Sequence, residues 1–183
     1  MNTHRLPALI GSNPLGALAA FGLLRLLSED DPNARLSGFA NPKMAEFIDS
    51  QIEDGLKTPG ATDVTAKYRN GPRKVTFEGG IYLRPTIVLC DSFQHPLANK
   101  EFLCPYASVV QVPQSEMLKQ MGYSLAVAAI TKDPALTEQL LSWPEIERLN
   151  LGPISTMHVS WDQPHEGNMF EFLWQRRSIE RAW

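Results

Sequence analysis

Cysteine is scarce in this sequence: Cys90 and Cys104 are the only two in 183 residues. Two thiols in separate segments do not make the disulfide framework of a small secreted domain, so free thiols in a reducing, cytoplasmic setting are expected. Histidine is also sparse. His4, His95, His158 and His165 are scattered, with no His-x-x-x-His pair and no Cys-x-x-Cys, and no metal centre is expected. No serine lies in a Gly-x-Ser-x-Gly context, which leaves a Ser-His-Asp arrangement without sequence support. Positive charge is not in excess. Lys and Arg number 17 against 20 Asp and Glu, and the net charge of −3 argues against a broad nucleic-acid footprint. Long apolar runs are missing too. Leu6 to Leu27 is the most apolar stretch, but Asn13, Pro14 and Arg25 interrupt it, short of the ~20 residues a membrane span needs. Ser28-Glu29-Asp30-Asp31 follows it where a signal peptide would carry small residues for cleavage.

What is present is an ordinary globular composition, 43% hydrophobic and 20% charged, which excludes a disordered or fibrous chain. The 14 prolines and 12 glycines imply short elements joined by tight turns. A buried helix is expected over Leu15–Leu27, with Ser12 or Asn13 as cap and Pro14 in its first turn. Turn signals in Asp30–Asn41 place a boundary there, giving an apolar N-terminal helix and linker over residues 1–40 and a second domain over 41–183.

In the second domain, Pro42–Leu56 reads as an amphipathic helix capped by Asn41, with Met44, Phe47, Ile48 and Ile52 at spacings of three and four. Val64–Phe77 reads as a hairpin or two short strands, with a turn at Asn70-Gly71-Pro72. Thr86–Leu89, Tyr106–Val112, Ser124–Thr131 and Leu149–Leu151 read as strands, the first buried on both faces. Gln114–Met121 and Pro134–Ser142 read as helices, the latter capped by Asp133, and Met169–Trp183 as a terminal helix. Strands alternating with helices predict an α/β fold, with flanking helices on a mostly parallel sheet. Gln163–Asn168 reads as a turn before the last helix rather than as an acid/base pair of His165 and Glu166. Trp161, Phe170, Phe172, Trp174 and Trp183 read as packing residues. Arg176, Arg177 and Arg181 read as a solvated helix face rather than a phosphate contact.

Four segments carry a resemblance. Gly79-Gly80-Ile81-Tyr82-Leu83-Arg84-Pro85-Thr86-Ile87-Val88 resembles a Gly-Gly-x-[Phe/Tyr]-x-x-Pro-Thr-[Ile/Val] stretch. Asn99-Lys100-Glu101-Phe102-Leu103-Cys104-Pro105 is similar to an Asn-x-Glu-[Ile/Leu]-Phe-Gly-Pro signature. Gly122 to Asp133 resembles Tyr-Gly-Leu-Ala-Ala-x-[Ile/Val]-Phe-[Thr/Ser]-x-Asp. Arg148-Leu149-Asn150 falls where a Val-x-[Ile/Val]-Asn strand would follow. In this order the four resemble the C-terminal part of the catalytic domain of the aldehyde dehydrogenase superfamily, over about residues 41–168.

The resemblance implies the second half of that α/β catalytic domain and an NAD(P)-dependent oxidation of an aldehyde through a thiohemiacetal on a cysteine. It implies that Glu101 accepts hydrogen bonds from the nicotinamide ribose hydroxyls, a task suited to two carboxylate oxygens. Leu103 stands where the family has a phenylalanine beside the nicotinamide, and Cys104 stands in place of a glycine. The family's nucleophilic cysteine, its general-base glutamate and a strand–Gly-rich turn–helix unit have no counterpart in these residues. Cys90 and Cys104 lie outside the nucleophile's motif and read as small buried hydrophobes. The expectation is therefore an aldehyde-dehydrogenase-like fragment or split subunit without activity of its own. It would not bind NAD(P) appreciably alone, and its partner would be a second copy or a complementary chain, with neither membrane nor nucleic acid. Pro7 to Arg25 is faintly similar to the opening of large-subunit proteins of type I CRISPR effector complexes. The alternative expectation is accordingly a non-catalytic binding or assembly module.

Overall fold

A computed structural model describes residues 5–10, 36–69, 71–154 and 173. The chain divides into two compact units, Met1–Gln120 and Met121–Trp183.

In the first unit, β1 (Arg5–Ile10), α1 (Pro42–Lys57), β2 (Ala61–Asp63), β3 (Lys74–Phe77), β4 (Gly80–Leu83), β5 (Thr86–Cys90) and β6 (Tyr106–Pro113) follow in chain order, then α2 (Gln114–Met121) at the unit boundary. A four-stranded sheet has the order β1-β6-β5-β2. Its central pair, β5 and β6, is parallel, with Thr86 opposite Tyr106 and Cys90 opposite Val110. The outer strands β1 and β2 both pair antiparallel. The second unit holds β7 (Ser124–Ala129), α3 (Pro134–Ser142) and β8 (Ile146–Leu151), and β7 and β8 pair in parallel across the helical crossover.

The α/β class expected from the sequence is the one observed. The parallel share is smaller than expected: among the described residues two strand pairs, β5–β6 and β7–β8, are parallel and three are antiparallel. Each parallel pair is joined by a long connection, 15 residues from Asp91 to Pro105 in one case and α3 in the other. The hairpin is also relocated. It joins β3 to β4, not the two sides of Asn70-Gly71-Pro72, and turns through Glu78 (φ +47°) and Gly79 (φ +78°). Two successive positive φ values suit the right-handed twist of a two-residue hairpin, and Glu78 carries the strain of that geometry on a side chain. Arg84-Pro85 separates β4 from β5.

The boundaries of α1 and α3 follow their caps. Asn41 accepts from the Lys43 N–H at 3.1 Å, and Asp133 accepts from the Ala135 N–H at 3.0 Å, each with proline at the first turn. The buried stripe of α1 is Ala45, Ile48, Ile52 and Gly55; Met44 and Phe47, expected inside, are exposed. Small residues on that stripe bring the helix close to the chain beneath it. At Gly55 a methyl group would overlap the Leu97 side chain.

The core of the first unit gathers Ile48 and Ile52 of α1, Leu83 of β4, Val88 and Cys90 of β5, and Tyr106, Val110 and Val112 of β6, with Phe93, Leu97, Ala98 and Cys104 from the β5–β6 loop. In the second unit only Leu136 and Leu140 of α3 are buried hydrophobics among the described residues. The helix expected over Leu15–Leu27, the resemblance over Pro7–Arg25 beyond β1, and the segments Trp161, Gln163–Asn168 and Met169–Trp183 (Leu173 apart) lie outside the described residues. β1 itself was not foreseen: Arg5–Ile10 reads in sequence as part of an apolar run with no strand signal.

Candidate functional site

The β5–β6 loop, residues 91–105, is built on buried anchors. The Tyr106 hydroxyl donates to the Leu97 carbonyl at 2.8 Å, and the Ser108 hydroxyl donates to the Ala98 carbonyl at 2.7 Å. The Ala98 N–H closes a turn on the His95 carbonyl at 2.9 Å. Burial raises the Tyr106 phenol, so it stays protonated as a donor. From this base the chain alternates outward and inward. Glu101 is exposed, Phe102 packs inward, Leu103 is 80% exposed, and Cys104 is buried. Phe102 meets Tyr106 edge to face, with ring centroids 4.8 Å apart. The inward residues fix the loop and leave Glu101 and Leu103 free on one short stretch. The Glu101 carboxylate has no hydrogen bond or ion pair among the described residues. Glu101 and Leu103 thus present a carboxylate and an apolar side chain to solvent.

Neither cysteine is poised as a nucleophile. Cys90 is buried, and burial, assisted by the Asp91 charge, pushes its thiol up to about 11. Burial pushes the Cys104 thiol up to about 12; the Arg73 charge opposes this and the Asp49 charge adds to it. A reactive thiol needs the opposite setting, a lowered pKa and access to solvent. The neighbouring His95 does not rescue Cys90. Its Nδ1 lies 3.8 Å from the Cys90 Sγ, but already accepts from the Leu97 N–H at 3.1 Å. The sequence reading of both residues as small buried hydrophobes agrees with this placement.

A cluster that the sequence reading missed lies under α1. The Arg73 side chain, 3% exposed, pairs with Asp49 at 2.8 Å, Glu53 at 3.0 Å and Asp63 at 3.4 Å. Its Nε donates to the Thr86 hydroxyl at 3.1 Å. Arg69 pairs with Asp63 and donates to the Thr65 hydroxyl, the Pro85 carbonyl and the Thr86 hydroxyl. Burial would raise the Asp63 carboxyl, but hydrogen bonds from Thr65 and Arg69 and the Arg69 charge outweigh it and hold the group below the usual carboxylate range. Two buried guanidinium groups side by side raise the question of an anion site. Their terminal nitrogens are engaged by carboxylates, hydroxyls and a carbonyl of this chain, which leaves the Arg69 Nε as the cluster's one buried donor without a partner among the described residues, so the cluster reads as scaffold. The legible signal was Asp49 and Glu53, four residues apart and hence on one helix face.

No group of three or more potential metal ligands occurs among the described residues, and no described helix is long and apolar enough to cross a membrane.

No family model matches the sequence, and no curated protein matches it. Solved structures do. The fold is similar to that of a 3,6-anhydro-L-galactose dehydrogenase, with a TM-score of 0.56 and 18% identity, covering 73% of this chain and 28% of that one. It is similar to an indole-3-acetaldehyde dehydrogenase complexed with NAD+, with a TM-score of 0.54 and 21% identity over 66% of this chain and 24% of that one. It is similar to lactaldehyde dehydrogenase from Escherichia coli, with a TM-score of 0.54 and 15% identity over 72% of this chain and 28% of that one. The chain spans about a quarter of the length of these structures.

Proposed function

Because the chain has the fold of part of an aldehyde dehydrogenase, we propose that it is the portion of such an enzyme that meets the nicotinamide ribose, and that it does not oxidise aldehydes by itself. Glu101 takes the ribose hydroxyls and Leu103 lies against the ring. The bound NAD(P) would supply the hydride acceptor. This chain's residues bind and orient it, while the nucleophile and the pyrophosphate-binding unit come from a complementary chain. The observation that carries the reading is the state of the two thiols: both are buried and pushed far above neutrality, so neither opens a route to a thiohemiacetal. The freely exposed Glu101 and Leu103 support the ribose contact.

A partner, either that complementary chain or a second copy, belongs to the same reading. Tyr123, Leu125, Ile130 and Leu141 of the second unit expose apolar surface that a larger catalytic domain would cover.

A single carboxylate contributes about 1.5–3 kcal/mol through charged hydrogen bonds. A millimolar complex needs about 4.1 kcal/mol. The chain alone is therefore expected to bind NAD at millimolar affinity or weaker, with little change in Glu101→Gln, as isothermal titration would read. NADH formation over a panel of aldehydes tests the activity. Turnover above about 1 s⁻¹ by the purified chain would overturn the reading.

A further inference from the structure

We propose that His95 is a proton-operated latch on the loop that carries Glu101 and Leu103. The imidazole is buried and joins separate parts of the chain. Its Nδ1 accepts the Leu97 N–H at 3.1 Å, so this nitrogen presents a lone pair. Its Nε2 lies 3.2 Å from the carbonyl oxygen of Thr58, the C-cap residue of α1, so Nε2 carries the hydrogen and donates it. Both ring nitrogens are thereby assigned, and the ring is neutral.

Protonation places a hydrogen on Nδ1. The Leu97 N–H then faces a second donor instead of an acceptor, and that hydrogen bond is lost in a buried site. The tie to Thr58 survives and strengthens, because a charged donor now meets a carbonyl at the negative end of α1. Acid thus frees the loop at Leu97 while the imidazole stays attached to the helix. The surrounding groups set the balance. From β5, the Cys90 thiol lies 3.8 Å from Nδ1 and is neutral. Asp91, just after β5, borders Gly60 together with the His95 ring. The last turn of α1 carries Lys57, paired with Asp54 at 2.7 Å, and both are exposed. From β6, the Tyr106 hydroxyl holds the Leu97 carbonyl and stays neutral. The device holds whether or not the loop meets a nicotinamide.

The test is a pH titration of the full chain by NMR, following the His95 ring nitrogens and the protection factor of the Leu97 amide, corrected for the intrinsic pH dependence of exchange. The expected result is an Nε2–H tautomer at high pH. As the ring protonates, Leu97 protection should fall about tenfold, the factor equivalent to ~1.4 kcal/mol. Unchanged Leu97 protection across the His95 titration would overturn the proposal, as would a ring that stays neutral until the chain unfolds. His95→Asn keeps an acceptor oxygen two residues before Leu97 but does not titrate. Leu97 protection in that variant should not respond to the same pH change, and a fall like that of the parent chain would also overturn the latch. The measurement on the parent chain decides the matter if the variant does not fold.

Discussion

The two units use apolar sequence very differently. The first closes a core around β5 and β6, into which the β5–β6 loop contributes Phe93, Leu97, Ala98 and Cys104. The second has a sequence at least as apolar in β7, yet Leu125 is 50% exposed, and Tyr123, Ile130, Leu141 and Ile154 are exposed as well. The Trp143 indole N–H is buried there without a hydrogen-bond partner among the described residues. Among the described residues, the parallel pair β7–β8 has two faces to cover and the one crossover helix, α3, to cover them. The lesson is that hydrophobic patterning encodes the sheet a strand belongs to, not the covering present beside it.

The comparison predicts an unequal response to mutation, largest in the first unit. Arg73→Ala would leave Asp49, Glu53 and Asp63 clustered without their shared cation. Removing one partner of a buried ion pair costs about 3–5 kcal/mol. Urea unfolding followed by tryptophan fluorescence and circular dichroism measures this; a loss under ~1 kcal/mol would show that the cluster does not hold α1 to the sheet.

Next in size is Gly55→Ala. The added methyl would meet Leu97, and overpacking a filled core costs about 1–3 kcal/mol. A helix-favouring substitution should therefore lower the melting midpoint. If it raised the midpoint, the close approach of α1 to the β5–β6 loop would be wrong.

The Asp63 carboxyl gives the first unit a pH signature. Its pKa is lowered on folding, so its contribution is present above the unfolded value near ~4 and is lost as pH falls through the lower folded value. Stability should therefore drop on acidification below that window, and Asp63→Asn should flatten that limb of the profile while lowering stability near neutrality. Melting midpoints from pH 7 to 2 give the comparison, and an acid limb unchanged in the variant would assign the loss to other groups.

Sequence reasoning was strongest where local chemistry decides structure. Asn41-Pro42 and Asp133-Pro134 start their helices as their caps require, and the four motif segments in order pointed to the fold that solved structures share. It was weakest where the answer depends on distant partners. The side of α1 that faces inward was misjudged, because Met44 and Phe47 outweigh Ala45 and Gly55 in hydrophobicity while the neighbouring chain selects small residues. β1 gave no signal as an antiparallel edge strand to β6, since that pairing joins residues a hundred positions apart. Arg73 reads as a surface residue after a turn until α1 folds over it. At the candidate site, the motif located Glu101 and Leu103, and the structure adds what no motif states: the inward anchoring of Phe102 and the hydrogen-bonded ring of His95.

The smallest effect on folding is expected at Leu125. It lies on β7 beside Val127 and Ala129 on one face, and its opposite number across the parallel register, between the Ser124–Ile146 and Ala126–Arg148 pairs, is Glu147. With half its surface in water, Leu125→Thr removes little burial and keeps a residue that favours strands, so the chain's stability should change by no more than about 0.5 kcal/mol. The same substitution should act on association instead. An exposed leucine adds apolar area to any contact made there, and a threonine removes it. Sedimentation velocity over a concentration series would separate the two effects. If the second unit is covered by a second copy, Leu125→Thr should weaken self-association at unchanged melting midpoint. A midpoint lowered by more than ~2 kcal/mol equivalent would mean that Leu125 is part of this chain's own core, and the contrast between the units would disappear.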